Sequence, residues 1–372
     1  MKRGWDQKPF ESCIEAVECT RKVQRKDFLS EGKFPIVSQE AELTNGYWNH
    51  EADVFRASKP VVIFGDHTQA LKYVDFDFVL GADGVKILQP RSFLWPKFFF
   101  YQLQAAQFPS LGYARHYRLL KELKISVPPL AEQRRIVGLL DEAFAGLATA
   151  TANAEKNRQN ARALFESHLN AVFSRRGKGW IVRPVAQVAD HSLGKMLDKA
   201  KNRGELKPYL RNLNVRWFTF DLSDVLEMPF LPEESVKYTA TKGDVLICEG
   251  GYPGRAAIWN EDYPIHFQKA LHRVRFHERE HSRWFLYYLY FQAQGGELKK
   301  HFSGAGIQHF TGEALARFKL PLAPLPEMRR AVATFERLAL DIGHLERVYE
   351  RKLAALERLK KSLLHQAFTG NL

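Results

Sequence analysis

The chain has 372 residues, 45% of them hydrophobic and 13% aromatic, which is enough for two or three packed cores, and its 55 Lys and Arg against 42 Asp and Glu leave a formal charge of +13. No apolar run is long enough to cross a bilayer, and the polar opening Met1-Lys2-Arg3-Gly4-Trp5-Asp6 has no signal-peptide core, so a cytoplasmic protein without a membrane partner is expected. Cys13, Cys19 and Cys248 are odd in number and show no metal-like spacing, which fits a reducing compartment, and the basic balance points to a polyanion, most often nucleic acid.

In chain order, the first predicted strand of weight is Pro60-Val61-Val62-Ile63-Phe64, ending in the polar turn Gly65-Asp66-His67-Thr68. A second strand-like stretch, residues 73–80, leads through Gly81-Ala82-Asp83-Gly84 into Val85-Lys86-Ile87-Leu88. Residues 93–108 are aromatic-rich and predict a helix packed on that sheet, and the loop of residues 111–117, containing Arg115 and His116, follows. Asp66-His67 suggests acid–base or metal chemistry, but a side chain that caps its own turn explains it equally well.

Residues 128–147, PPLAEQRRIVGLLDEAFAGL, then open a long helix: a proline, a glutamate in the first turn and a sustained apolar period. The chain says this twice. Shifted by 195, the stretch lands on residues 323–342, APLPEMRRAVATFERLALDI, pairing Pro129 with Pro324, Glu132 with Glu327, Arg134-Arg135 with Arg329-Arg330 and Val137 with Val332. Ser167 with Ser362 and Phe173 with Phe368 keep the same offset, so the repeat is long and ungapped. A heptad seam is expected along Ile136, Leu140, Ala143, Leu147, Ala150, Ala154, Asn157, Ala161, Leu164 and His168 in one copy. In the other it runs along Ala331, Phe335, Leu338, Ile342, Leu345, Tyr349, Leu356, Leu359 and Leu363, interrupted at Lys352. Each helix would be roughly 65 Å long, and the alanine-rich copy would pair antiparallel with the bulkier one. Trp5 followed by Lys8-Pro9 is echoed by Trp180 followed by Arg183-Pro184 at an offset of 175, so each helix is preceded by a globular head and the first head is about twenty residues shorter or longer in its interior than the second. The expected fold is therefore α/β (α+β): heads at residues 1–127 and 176–322, in a pseudo-two-fold dumbbell, separated by an antiparallel two-helix coiled-coil spacer built from residues 128–175 and 323–372.

In the second head, Lys195 opens a basic lead-in, and Arg211, Asn212, Asn214 and Arg216 in YLRNLNVRW predict a strand with one polar face. Such side chains have the donors to read guanine and adenine edges. Residues 243–248 form another strand, ending in a glycine-rich turn with Tyr252 and Arg255 at its tip. That turn lacks the Gly-Lys-Ser/Thr ending of a phosphate loop. Gln308 and His309 lie in a loop before the second long helix, where His309 is expected to answer His116.

His277-Glu278-Arg279-Glu280-His281 is literally HExxH, but strand-like alternation precedes it and the helix is expected only from Ser282, so a zinc centre is not inferred and no metal ligand is assigned. Asp27, Glu31 and Lys33 are too loosely spaced to read as a nuclease cluster, and Asn/Asp-Pro-Pro-aromatic and Walker motifs are absent from the sequence. A reader rather than a catalyst is expected; the alternative is a stand-alone DNA-binding nuclease or zinc hydrolase with a coiled-coil stalk.

The repeated helix openings PPLAEQRRIV and APLPEMRRAV, the head segments VVIFGDHTQALKYVDFDFVLGADGVKIL, GDVLICEGGYPGRAAIW and GAGIQHFTGEALARFKLPLAPLPE, and the ending Leu363-Leu364-His365-Gln366-Ala367-Phe368-Thr369-Gly370 resemble the specificity (S) subunit of type I restriction–modification systems, over essentially the whole chain. A departure is Met328, where the first copy, like most of the family, has glutamine, with no loss of function expected. The resemblance implies a non-catalytic subunit whose heads are target-recognition domains, each reading one half of a bipartite site in double-stranded DNA. It implies a coil that sets the gap and docks methyltransferase subunits, typically two, to which restriction (motor) subunits add. No cofactor is expected on this chain; S-adenosylmethionine, ATP and Mg belong to the partner subunits. The DNA-binding candidates are Asp66, His67, Thr68, Arg115 and His116 in the first head, and Lys195, Arg211, Asn212, Asn214, Arg216, Tyr252, Arg255, Gln308 and His309 in the second. The spacer and docking candidates are Glu132, Arg134, Arg135, Glu327, Arg329 and Arg330.

Overall fold

Runs of β-branched and aromatic residues become strands where both faces are covered, and the run at Val61–Gly65 is buried at every position. The structure, a computed structural model, describes residues 5–18, 20–81, 84–106, 108–109, 112, 114–198, 200 and 202–369. Cys19, the Ala82-Asp83 pair, Leu111 and Tyr113 of the first loop, Lys199 and Lys201 of the basic lead-in, and the two chain ends with Arg3, Gly4 and Gly370 lie outside those residues.

Two units result, Met1–Glu155 with Glu350–Leu372, and Lys156–Tyr349. Each contains one head and half of each long helix. In the first, Val61–Gly65 is central to an antiparallel sheet ordered Ile14–Glu15, Val85–Pro90, Val61–Gly65, Leu71–Val74. A helix, α1 (Pro96–Ala105), lies on it through Phe98, Phe99 and Leu103, which share a core with Val62 and Phe64. In the second, Val245–Cys248 has the same place in the order Ala189–Leu193, Leu271–Phe276, Val245–Cys248, Ala256–Ile258.

A second sheet in each head is mixed. In the first head Lys22–Val23 and Phe34–Val37 both run parallel to Phe78–Gly81, while Gly46–Trp48 and Val54–Phe55 add antiparallel edges. In the second head Glu205–Leu210 runs parallel to Ile265–Phe267, flanked by Leu226–Phe230 and Thr239–Ala240. The stretch expected as one strand over residues 73–80 is thus two strands in different sheets. The chain passes from one sheet to the other over residues 75–77, where the Asp77 carboxylate accepts the Ala57 N–H at 2.9 Å and pairs with Arg56 at 2.8 Å.

Both heads are closed at their base by the same strand pair. Asp6–Pro9 pairs with Lys124–Val127, Asp6 opposite Val127, and Ile181–Pro184 pairs with Lys319–Leu322, Ile181 opposite Leu322. The offsets are 175 on the entering strand and 195 on the leaving one, so the repeat read in the sequence is kept to the residue at both doors of the head. Part of the extra length in the second head is in its sheet-covering helix.

The first long helix, α2, spans Leu130–Ser174; the sheet-covering helix of the second head, α3, spans Glu280–Gln294, against ten residues for α1; the second long helix, α4, spans Leu325–Thr369. The prolyl carbonyls of Pro129 and Pro324 accept the first helical N–H groups, from Glu132 and Gln133 and from Glu327 and Met328. The pairing of α2 with α4 is antiparallel in each unit. In the first, Lys360 lies 5.5 Å over the Phe144 ring, and Leu364 and Ala367 share a core with Ile136 and Leu140. In the second, Arg162 pairs with Glu346, and the Phe335 ring meets His168 edge-to-face at 5.9 Å and Phe173 in a tilted contact at 5.7 Å.

The expected heptad is buried or half-buried at most of its positions, among them Ile136, Leu140, Ala154, Ala161, Phe335, Ile342 and Leu356, but Asn157, Leu164, Leu345, Lys352 and Leu359 are exposed. Beside them Phe165 and Leu364 are buried and Arg158, Glu346 and Leu353 half-buried. A stripe that advances 3.6 residues per turn gains about a tenth of a residue per turn on a strict 3.5-residue repeat, which along a helix this long amounts to one position. The polar interruption at Lys352 disappears with it, since Leu353 is the residue that turns inward.

Candidate functional site

In the first unit the central strand ends in a turn whose backbone closes on itself: Gly65 N–H donates to Ala70 O and Gln69 N–H to Gly65 O, both at 2.8 Å. A Cβ on Gly65 would come within 2.3 Å of Thr68 Oγ1, so only glycine fits there. Asp66 and His116 are buried and bind each other's loops. The Asp66 carbonyl accepts the His116 backbone N–H at 2.8 Å with the ring Nδ1 at 3.0 Å, and the Asp66 carboxylate accepts the Tyr117 N–H at 2.7 Å. Their polar atoms are committed inside the fold. Arg115 and Thr68 are the candidates of this cluster that face solvent, with His67 half-buried beside Gly84. Sequence reasoning missed Lys72, whose buried Nζ donates to Asn45 Oδ1 at 2.9 Å, an oxygen it shares with Ser38; burial lowers its pKa to about 8. A lysine in an alternating strand reads as solvent-facing, so no sequence signal marked it.

The second unit gathers a larger cluster. The strand expected across residues 209–217 stops at Leu210, because Asn214 closes a turn there: its N–H donates to Arg211 O, its Oδ1 accepts the Arg211 N–H at 2.9 Å, and its Nδ2 donates to Asp221 O and Asp224 O. Asn214 is 2% exposed and holds a turn instead of lining a polar strand face. Arg211 clamps Asp224 at 2.6 Å, and Arg216 turns to Leu213 O and Asp221. Lys195 is buried, donating to Pro229 O and Glu234 over the Phe230 ring.

Asn212, Tyr252, Arg255 and His309 do come together. Asn212 Nδ2 donates to Gly250 O at 3.1 Å, and Arg255 donates to Asn212 O at 2.9 Å while its guanidinium lies 3.7 Å over the Tyr252 ring. Gly251 takes a left-handed φ of +74° and has no room for a Cβ, which would meet Asn212 Nδ2 at 2.3 Å; a Cβ on Gly250 would touch the His309 ring at 3.0 Å. The glycines of this turn therefore serve close packing of the loops, and Arg255 braces Tyr252, which is half exposed. Beside them Ser303 and His309 exchange backbone hydrogen bonds at 2.9 and 2.8 Å, and Gln308 is exposed on the hairpin they close.

His309 is not the counterpart of His116. The residue heading the short helix Gly312–Arg317, as His116 heads Tyr117–Lys121, is Thr311, whose side chain accepts the Ala314 N–H. The shared feature is the backbone anchor: His116 N–H donates to Asp66 O, and Phe310 N–H to Glu249 O at 2.7 Å, each just past the central strand. His272 Nε2 completes the second anchor, 3.0 Å from Phe310 O, and burial lowers its pKa to about 4. An imidazole that protonates at its ordinary 6.5 only when unfolded makes the unfolded chain bind more protons between pH 6.5 and 4, so stability is full above that window and falls as pH drops through it. Chemical denaturation is expected to show this residue removing about 3 kcal/mol from the second unit between pH 7 and pH 4, a loss absent in His272→Gln.

At the helix starts the repeated charges find different partners. Glu132 pairs with Arg135 at 2.7 Å and Arg134 lies over Trp95, whereas Glu327 accepts the Trp180 Nε1–H and Arg329 pairs with Glu280; Arg330 is exposed. In the HExxH segment the strand ends at Phe276 and α3 begins at Glu280, so His277 and His281 do not stand one turn apart on a helix; His277 faces Asp190 at 3.8 Å and Glu280 is held by Arg329. Burial pushes the Cys13 thiol up, and the Cys248 thiol to about 11, so neither is a thiolate near neutrality.

A sequence model of the family described as Type I restriction modification DNA specificity domain matches residues 2–158 and 177–348, one match per half of the chain. The specificity subunit of the Type I restriction enzyme EcoR124I/EcoR124II of Escherichia coli is 28% identical over 153 residues, 37% of this chain, and the match spans 38% of that relative's length. Among solved structures, a chain from a study of complex assembly and conformational transition of the type I R-M system superposes with a TM-score of 0.75 at 21% identity, covering 100% of this chain and 99% of that one. The HsdS subunit from Thermoanaerobacter tengcongensis gives 0.56 at 20% identity, covering 100% and 98%. At such identities the likenesses speak for the fold.

Proposed function

The chain belongs to the type I restriction–modification DNA specificity family, and from that premise we propose that it is the DNA-reading subunit of a type I complex, in which each unit reads one half of a bipartite site. The observation that carries this reading is the duplicated frame with unlike contents. The same strand pair, central sheet and loop anchor occur in both units, while the loops they hold up differ in every candidate side chain. Two equal scaffolds with unequal loops suit an asymmetric target. Exposed Arg115 in the first unit, and Tyr252 and Gln308 in the second, are the side chains offered to bases, whereas the Thr68 hydroxyl is engaged with Gln39 O and the Ala70 N–H. The surplus of Lys and Arg supplies phosphate contacts, which position the protein without specifying sequence.

The methyl-transfer and cleavage chemistry falls to partner subunits, two methyltransferases and the restriction motors, with their S-adenosylmethionine, ATP and Mg. The paired long helices are their docking surface, and helix length sets the gap between the half-sites. Co-expression with the neighbouring methyltransferase gene, followed by genome-wide mapping of methylated adenines, is expected to return one asymmetric bipartite motif, and Gln308→Ala should relax one half of it only. Methylation without a bipartite motif, or relaxation of both halves together, would contradict the reading.

A further inference from the structure

The hairpin at residues 304–308 presents an aliphatic side chain at its tip. Ile307 is 74% exposed, between Gly306 and the exposed Gln308, on a loop locked at its base by the two Ser303–His309 backbone hydrogen bonds. Gly304 fixes the tip: its φ is +106°, and a Cβ there would lie 2.2 Å from the Ile307 carbonyl oxygen, so the backbone folds onto itself in one way. The hairpin stands against the Asn212–Gly250–Tyr252 cluster through the His309 ring, which a Cβ on Gly250 would touch. Exposure alone would mean little, since Val236 and Leu340 are as exposed. What separates Ile307 is its presentation on a glycine-shaped tip whose base is closed by two backbone hydrogen bonds, next to a residue able to read adenine.

We propose that Ile307 reads a thymine through its C5-methyl group, in the half-site assigned to the second unit. The inference rests on the DNA-reading role proposed above and adds a specificity residue to it. The thymine methyl is the apolar group that base edges display in the major groove, and a branched hydrocarbon without a polar atom has no hydrogen-bonding alternative there. Burying one methyl against Ile307 removes it from water, an effect of about fourfold in affinity.

The test uses the full chain with its methyltransferase subunits and duplexes carrying the mapped target, in which each thymine of the second unit's half is replaced singly by deoxyuridine. Competition binding at fixed salt should show one position where the missing methyl weakens wild-type binding by about fourfold. Ile307→Ala should weaken binding to the thymine duplex by at least as much and make that position indifferent to deoxyuridine, whereas Val236→Ala should leave the whole profile unchanged. A methyl effect of equal size in wild type and Ile307→Ala, or no thymine in that half that responds, overturns the assignment while leaving sequence-specific binding intact. Absence of any preference for the mapped target over unrelated DNA overturns the DNA-reading role as well.

Discussion

Replacing Gln133 by methionine, the residue found at the same place in the second repeat, is expected to destabilise the first unit by about 2–5 kcal/mol in chemical denaturation. Gln133 is fully buried, and its amide is a three-way tie: Oε1 accepts the Trp95 N–H at 2.7 Å, and Nε2 donates to Phe93 O at 2.9 Å and Pro128 O at 2.8 Å. One side chain thereby fastens the start of α1 and the chain entering α2 to the same point. Methionine fills similar volume but leaves Pro128 O buried, and the Trp95 N–H and Phe93 O part-buried, without this partner, at about 1–3 kcal/mol for the buried group and less for each of the other two. The reverse change, Met328→Gln, should also destabilise, because Met328 is 2% exposed among Val332, Phe335 and other apolar neighbours. A neutral result for Gln133→Met would mean that the tie contributes little. The sequence position repeats; the local physics does not.

Phe335→Ala should cost about 3–5 kcal/mol and unfold the second unit first. Its ring is fully buried, with Phe173 and His168 of α2 and Tyr287 of α3, the last at 5.0 Å, packed around it. Both long helices and the sheet-covering helix lose contacts at once, so the cavity has no single neighbour able to fill it. Denaturation followed by a tryptophan of the second head, such as Trp284 in the same core, should show the shifted transition. An unchanged midpoint would show that α4 does not depend on this residue for its seat.

Much of the frame was legible because it is written in periodicities and repeats. The offset of 175 marked the start of each half and the offset of 195 the long helices, which begin where that repeat begins, but the strand pairs that keep both offsets were not foreseen. The inward stripe was legible as far as Ala154, Ala161 and Ile342, but an error of about a tenth of a residue per turn accumulates along a long helix and left Leu164, Leu345 and Leu359 in solvent. The loops were legible as loops, but not the side chains that face out of them. Asp66, Lys195 and Asn214 carry the polar groups expected of a reader, and each is spent on a hydrogen bond that holds its own loop. Composition cannot separate an asparagine that reads a base from one that closes a turn, because both require the same donors and acceptors. Ile307 went unnoticed for the opposite reason: an apolar residue in a polar loop draws attention only once its exposure is known.

The strand pairs at the base of the heads make possible the most direct test of the claim that each unit reads its own half. Residues 181–322 can be replaced by residues 6–127, joining equivalent strands at both ends, and the methylated sites of the chimera mapped in cells that also express the methyltransferase. The account predicts an inverted repeat of the first half-site with the original gap. A folded, active chimera that still modifies the original asymmetric site would contradict it.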